Sequence, residues 1–179
     1  MGTTKEQAIW ILCALMAATA GLLDWRSRRI PNWLTVSGAV LGIVVNSVFA
    51  GLRGLESSLL GMVLGLALLL PFVLVRSLGA GDWKLVGAVG AFFGPRQLLI
   101  ILFATILVAG VMALGLIVWK RRVRQTLKNA GRMVMAFAQF HLPGTDLSID
   151  NPEALKVPFG VAAAIAVVLY TVGHVWGVA

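Results

Sequence analysis

The chain has 179 residues, of which 59% are hydrophobic and only 12% charged, and it carries a formal net charge of +8. A soluble domain has about 25% charged residues, and a mean hydropathy of +0.93 implies more apolar surface than a core of this size can hide. These values exclude a soluble domain and predict one integral membrane unit over residues 1–179. The basic residues lie between apolar stretches rather than in one patch, which is the pattern of membrane topology and not of nucleic-acid binding.

Six apolar stretches follow one another, at about 8–23, 33–52, 55–75, 83–94, 97–119 and 157–178. They predict an all-α membrane protein, a bundle of six transmembrane helices. Lys5 and Ala18-Thr19-Ala20 give the first stretch the look of a secretory signal. With five more stretches downstream, we read it as a retained helix ending at Asp24. The second stretch begins beyond Arg26, Arg28, Arg29, Ile30, Pro31 and Asn32. The fourth is short: at 1.5 Å per residue it reaches only ~18 Å, against a hydrocarbon core of ~30 Å. Pro95 separates it from the fifth, because proline removes a backbone donor and clashes with the preceding turn. Gly38/Gly42, Gly61/Gly65 and Gly90/Gly94 stand four residues apart, a spacing that lets membrane helices approach closely.

Between the fifth and sixth stretches, Val123, Leu127, Ala130, Val134 and Phe137 recur at helical spacing. Arg121, Arg124, Lys128 and Arg132 fall largely on the opposite side. This predicts an amphipathic interfacial helix over about 120–141, held to anionic membrane lipid by its bases. Pro143 and Gly144 end it. Asp146, Asp150 and Glu153 then form a small acidic patch, whose plainer reading is loop solvation and helix capping. With six spans and the N-terminus outside, all of the fifteen basic residues except Lys5, Arg53 and Arg96 fall on the cytoplasmic side, as the positive-inside rule requires.

Acids are scarce: between Glu6 and Asp146 there are only Asp24, Glu56 and Asp82. Acids at membrane boundaries are costly and mark function, and the topology puts Asp24 and Asp82 on the same, cytoplasmic, face. Taken singly, each has a structural reading. Asp82 follows Gly79-Ala80-Gly81 and suits a helix N-cap; Asp24 precedes arginines and suits a juxtamembrane ion pair. Together they suit shared chemistry. Two carboxyls brought close cannot both ionise cheaply and titrate as a unit. Such a pair activates water against an amide without a nucleophilic serine or a metal. No cofactor is implied. Neither His141 nor His174 has a metal-ligand partner at useful spacing, and the single cysteine, Cys13, lies in an apolar run.

Gly79-Ala80-Gly81-Asp82 resembles the G-x-G-D signature of intramembrane aspartic proteases. Asp24 with Arg28-Arg29-Ile30-Pro31-Asn32, then Gly81-Asp82-Trp83-Lys84-Leu85, and finally Pro158-Phe159-Gly160, resemble the type IV prepilin peptidases in order and spacing. The resemblance implies a six-helix inner-membrane aspartic endopeptidase. Its substrates would be prepilin-like proteins with a membrane helix, which would lose their short basic leader at the cytoplasmic face. It carries over Asp24 and Asp82 as the catalytic pair. Gly79, Gly81, Lys84, Ile30, Pro31, Asn32, Pro158, Phe159 and Gly160 would shape the site. Larger members bear a cysteine-containing cytoplasmic domain between the first two helices, linked to N-methylation. Here that connection is short and has no cysteine, so methyltransferase activity is not expected. The small form resembles the peptidases of tight-adherence pilus systems and archaeal preflagellin peptidases. Two other readings of the same acids are a non-catalytic pilus-assembly scaffold and a small proton-coupled transporter. The oligomeric state has no sequence signal.

Overall fold

The computed structural model describes residues 4–75, 77–120 and 157–175. Among these residues there are four helices and no strand: α1 (Thr4–Ser27), α2 (Asn32–Leu74), α3 (Ala80–Trp119) and α4 (Phe159–Val175). α1 from Glu6, α2 and α3 are long and apolar enough to cross a membrane; α4 is apolar but shorter. The predicted interfacial helix at 120–141 and the acidic patch lie outside the described residues.

Six separate helices were expected, and the count is corrected to four. The stretches 33–52 and 55–75 belong to the single 43-residue α2, and 83–94 and 97–119 to the 40-residue α3. A straight helix of 43 residues would run ~65 Å, about twice the hydrocarbon thickness. Neither helix is straight. Gly51 (φ 60°, ψ −141°) interrupts α2, and Gly94 (φ 73°, ψ 179°) interrupts α3. Positive φ is the region that glycine enters without penalty.

The packing register shows what these two glycines do. Along the first arm of α2, Asn32 bonds Lys84, Gly38 faces Ala88, and Gly42 lies on Ala91 and Phe92, so the two chains rise together. Beyond Gly51 the order inverts: Ser57 meets Gly94, Gly61 meets Gly90, and Gly65 meets Val86. The second arm of α2 therefore runs back alongside the first. α3 reverses likewise. Gly81 packs on Ile30, while Trp119 lines a cleft with Trp25 and Arg28 at that same end of the molecule. A straight helix would hold Gly81 and Trp119 ~57 Å apart.

The turn in α3 has a built-in remedy for its lost bonds. Pro95 has no N–H to offer the carbonyl of Ala91, four residues back. The Asn46 side-chain amide, from α2, donates to Ala91 O and Phe92 O, both at 3.0 Å. Where the second arm of α2 crosses the first arm of α3, a methyl on Gly61 or Gly90 would run into the other's carbonyl. This is the close approach that small residues permit in membranes.

Large apolar side chains point outward, among them Leu15, Val48, Leu52, Phe103, Val111 and Val118. The interior is built from smaller ones (Cys13, Ala17, Ala20, Ala88, Ala91, Ala162, Ala166) around Leu85, Leu98 and Val167. An interior of small residues suits lipid, where helices gain by close packing rather than by hiding leucines. At the end away from Asp24, Tyr170 and His174 of α4 stack at 4.1 Å. Trp10 of α1 packs edge-on to both rings, and Phe93 of α3 edge-on to Tyr170.

Candidate active site

Asp24 does not end its helix, as the sequence predicted, but lies within the last turn of α1. The helix stops at Arg28, whose φ of 53° is left-handed and whose N–H bonds Asp24 O at 2.9 Å. The Asp24 side chain is only 7% exposed. Its Oδ2 accepts the backbone N–H of Gly160 at 2.9 Å. This N–H lies in the first turn of α4, where it has no partner inside its own helix. The positive end of the α4 dipole thus faces a carboxylate. The charge of Arg28 acts on Asp24 from the adjoining turn.

Asp82 is the third residue of α3. Its Oδ2 lies against Gly79, the residue at the N-cap position, where a methyl would stand 3.0 Å from it. An acid in the first turn suits the positive end of the helix dipole. That placement alone gives Asp82 a structural reason to exist. Its position relative to Asp24 gives it a second one: contacts through Gly81, Ile30 and Gly160 link it to the Asp24 carboxylate on a different helix.

The corner between α1 and α2 joins these two halves. Ile30 is buried. A methyl on Gly81 would lie 3.2 Å from Ile30 Cβ, and one on Gly160 would lie 2.9 Å from Ile30 Cδ1 and 2.9 Å from Asp24 Oδ2. Just beyond this contact in both segments, Lys84 Nζ donates to Asn32 Oδ1 at 2.9 Å. Pro31 (φ −70°, ψ 143°) precedes α2 and its carbonyl accepts the N–H of Leu34. Pro158 is buried before α4, and Phe159 packs partly buried against the core.

The structure therefore gathers the sequence-predicted residues at one end of the bundle. Asp24, Asp82, Gly79, Gly81, Ile30 and Gly160 form one chain of contacts, with the Asn32–Lys84 pair beside it. Among the described residues, no group of three His, Cys, Asp or Glu converges as a metal site would require.

Beside Asp24 opens a cleft of about 530 Å³, lined by Trp25, Arg28, Pro158, Met112, Gly115, Leu116 and Trp119. The far end of α3 was not expected here. Only the reversal at Gly94 brings it back, and no local pattern announces it. Trp25, next to Asp24 and 67% exposed, was the one available signal. Chemically, two carboxyls at a helix-bundle end, one held by a backbone donor and followed in the chain by Trp25 of an open cleft, can share protons with a water molecule and a bound carbonyl.

Comparison with known proteins is consistent with this site. A family model described as the type IV leader peptidase family matches residues 10–114, a stretch that includes both aspartates and the Ile30 corner and stops short of α4. No curated protein and no solved structure matches the chain.

Proposed function

Because the chain belongs to the type IV leader peptidase family, we propose that it is a membrane-embedded aspartic endopeptidase. In this reading it removes the short basic leader of prepilin-like proteins, with Asp24 and Asp82 as the catalytic pair. The observation that carries the reading is the convergence of these two residues, 58 positions apart in the numbering, on the Ile30 corner: Gly81, before Asp82, packs on Ile30, and so does Gly160, whose N–H holds Asp24.

One carboxylate takes a proton from water, and the resulting hydroxyl adds to the scissile carbonyl carbon. The other carboxyl, protonated, donates to the carbonyl oxygen. When the C–N bond breaks, a proton returns to the leaving amine, and the pair regains its starting state. The backbone N–H of Gly160 holds Asp24 in place throughout, so the pair needs little reorganisation.

The substrate's own membrane helix would pack against the bundle, and its leader would reach the cleft beside Trp25. Within the bilayer, the doubled arms of α2 and α3 together with α1 and α4 make six crossings. The N-terminus lies outside and the aspartates face the cytoplasm of the inner membrane, as the distribution of basic residues supports. Only residues 28–31 separate α1 from α2, and none is a cysteine, which supports endopeptidase activity without methylation. The positions of both acids, at helix ends rather than mid-span, weigh against a proton-coupled transporter.

The test is co-expression with prepilin-like substrates and mass measurement of the mature N-terminus. Wild type yields the shortened chain. Asp24→Asn and Asp82→Asn each abolish cleavage while remaining inserted and folded. Cleavage by either variant would refute the catalytic pair, and a scaffold would tolerate both changes.

A further inference from the structure

We propose that Ile30 is a positioning residue that sets the separation of Asp24 and Asp82. The inference rests on the peptidase reading above and adds a residue to it. Ile30 carries no group that can take part in the reaction. It stands between two backbones that carry no side chain towards it: Gly81, directly before Asp82, and Gly160, whose N–H holds Asp24 Oδ2. Its Cβ serves the first contact and its Cδ1 the second. A single side chain thus fills the gap between the piece of chain that carries one aspartate and the piece that clamps the other.

Isoleucine suits this place. Branching at Cβ restricts χ1, so the side chain is a stiff spacer. Its backbone is fixed as well, between Arg28 at φ 53° and Pro31 at φ −70°. The Asn32–Lys84 bond ties the α1–α2 corner to the first turn of α3 as well. With both ends of the spacer resting on backbone, a shorter side chain lets Gly81 and Gly160 shift relative to each other, and the carboxyls shift with them.

The experiment is a size series at Ile30 in the full chain. Ile30→Val keeps the branch at Cβ and loses the methyl against Gly160; Ile30→Ala loses that methyl and everything else beyond Cβ, so that only the Cβ against Gly81 remains. A displacement of about 1 Å at reacting groups costs roughly 100-fold in rate. Ile30→Ala should therefore lower kcat by about that factor with KM within about twofold, and Ile30→Val should fall between. The limbs of the pH–rate profile, which belong to the carboxyl pair, should move in Ile30→Ala. Leu98→Ala, which empties a buried site in the second arm of α3, should lower thermal stability and leave the pH profile unchanged.

A readout independent of cleavage completes the test. In a Cys13→Ala background, Asp24→Cys with Asp82→Cys should be joined by a short bifunctional thiol reagent. Adding Ile30→Ala should change that rate at least about fivefold, since an effective concentration follows distance steeply. Unchanged cross-linking together with an unchanged pH profile in Ile30→Ala overturns the spacer role. Failure of wild type to cleave any leader overturns the peptidase reading instead, and the cross-linking rates still decide the geometry at Ile30.

Discussion

The N–H of Gly160 donates to Asp24 Oδ2 at 2.9 Å across 136 residues of sequence. The start of α4 is thereby a part of the site, although it lies beyond the stretch shared with the family model. A methyl on Gly160 would sit 2.9 Å from that oxygen and 2.9 Å from Ile30 Cδ1. Gly160→Ala improves helix propensity by about 1 kcal/mol, but neither neighbour can retreat without moving the site. We expect leader cleavage to fall by about 100-fold with only a small change in melting temperature, measured side by side on purified protein.

Asn46→Ala should destabilise the fold by about 1–3 kcal/mol, because the carbonyls of Ala91 and Phe92 then lose their donor inside the membrane. Asn46 lies far from the aspartates along α2. Cleavage per folded molecule should remain within about twofold of wild type. Thermal unfolding in detergent, paired with a cleavage assay below the transition, separates the two effects.

The two turn glycines should respond differently to alanine. Gly51 (φ 60°, ψ −141°) has open space around it, so Gly51→Ala meets only the backbone penalty of ~1–3 kcal/mol. Gly94 (φ 73°) adds a collision with Ser57 Oγ, and Gly94→Ala should cost clearly more. Gly51→Asn should cost about as much as Gly51→Ala, because the ψ of −141° lies outside the left-handed region that asparagine tolerates. Comparing the three melting temperatures decides whether strain or space governs each turn.

Lys84→Ala and Asn32→Ala each remove one end of the 2.9 Å bond. Their effects on stability should be small and non-additive, with a coupling energy of about 0.5–1 kcal/mol. A double-mutant cycle on the melting curves measures it. Simple additivity would mean that the bond does not tie the corner.

The second arm of α3 returns Met112, Leu116 and Trp119 to the cleft beside Asp24. Trp119→Ala should therefore raise KM for a prepilin-like substrate several-fold while kcat stays within about twofold, the signature of lost uniform binding. Steady-state kinetics at varied substrate in mixed micelles reads this directly.

Membrane character, helical class, the paired acids and the breaks near Gly51 and Pro95 were legible in the sequence, because each follows from local properties: hydropathy over some twenty residues, the scarcity of charge, or the missing N–H of proline. The same local signal did not show that each pair of neighbouring stretches forms one element bent at a positive-φ glycine. An apolar run shows where chain can be buried, but not how it turns. What only the tertiary structure decided was which groups meet: Gly160 on Asp24, Ile30 between Gly81 and Gly160, Asn46 on the carbonyls freed by Pro95, and Trp119 beside Arg28. Each of these contacts joins segments far apart in the chain. They depend on the direction and depth at which arms pack, and residue spacing along one arm carries no record of either.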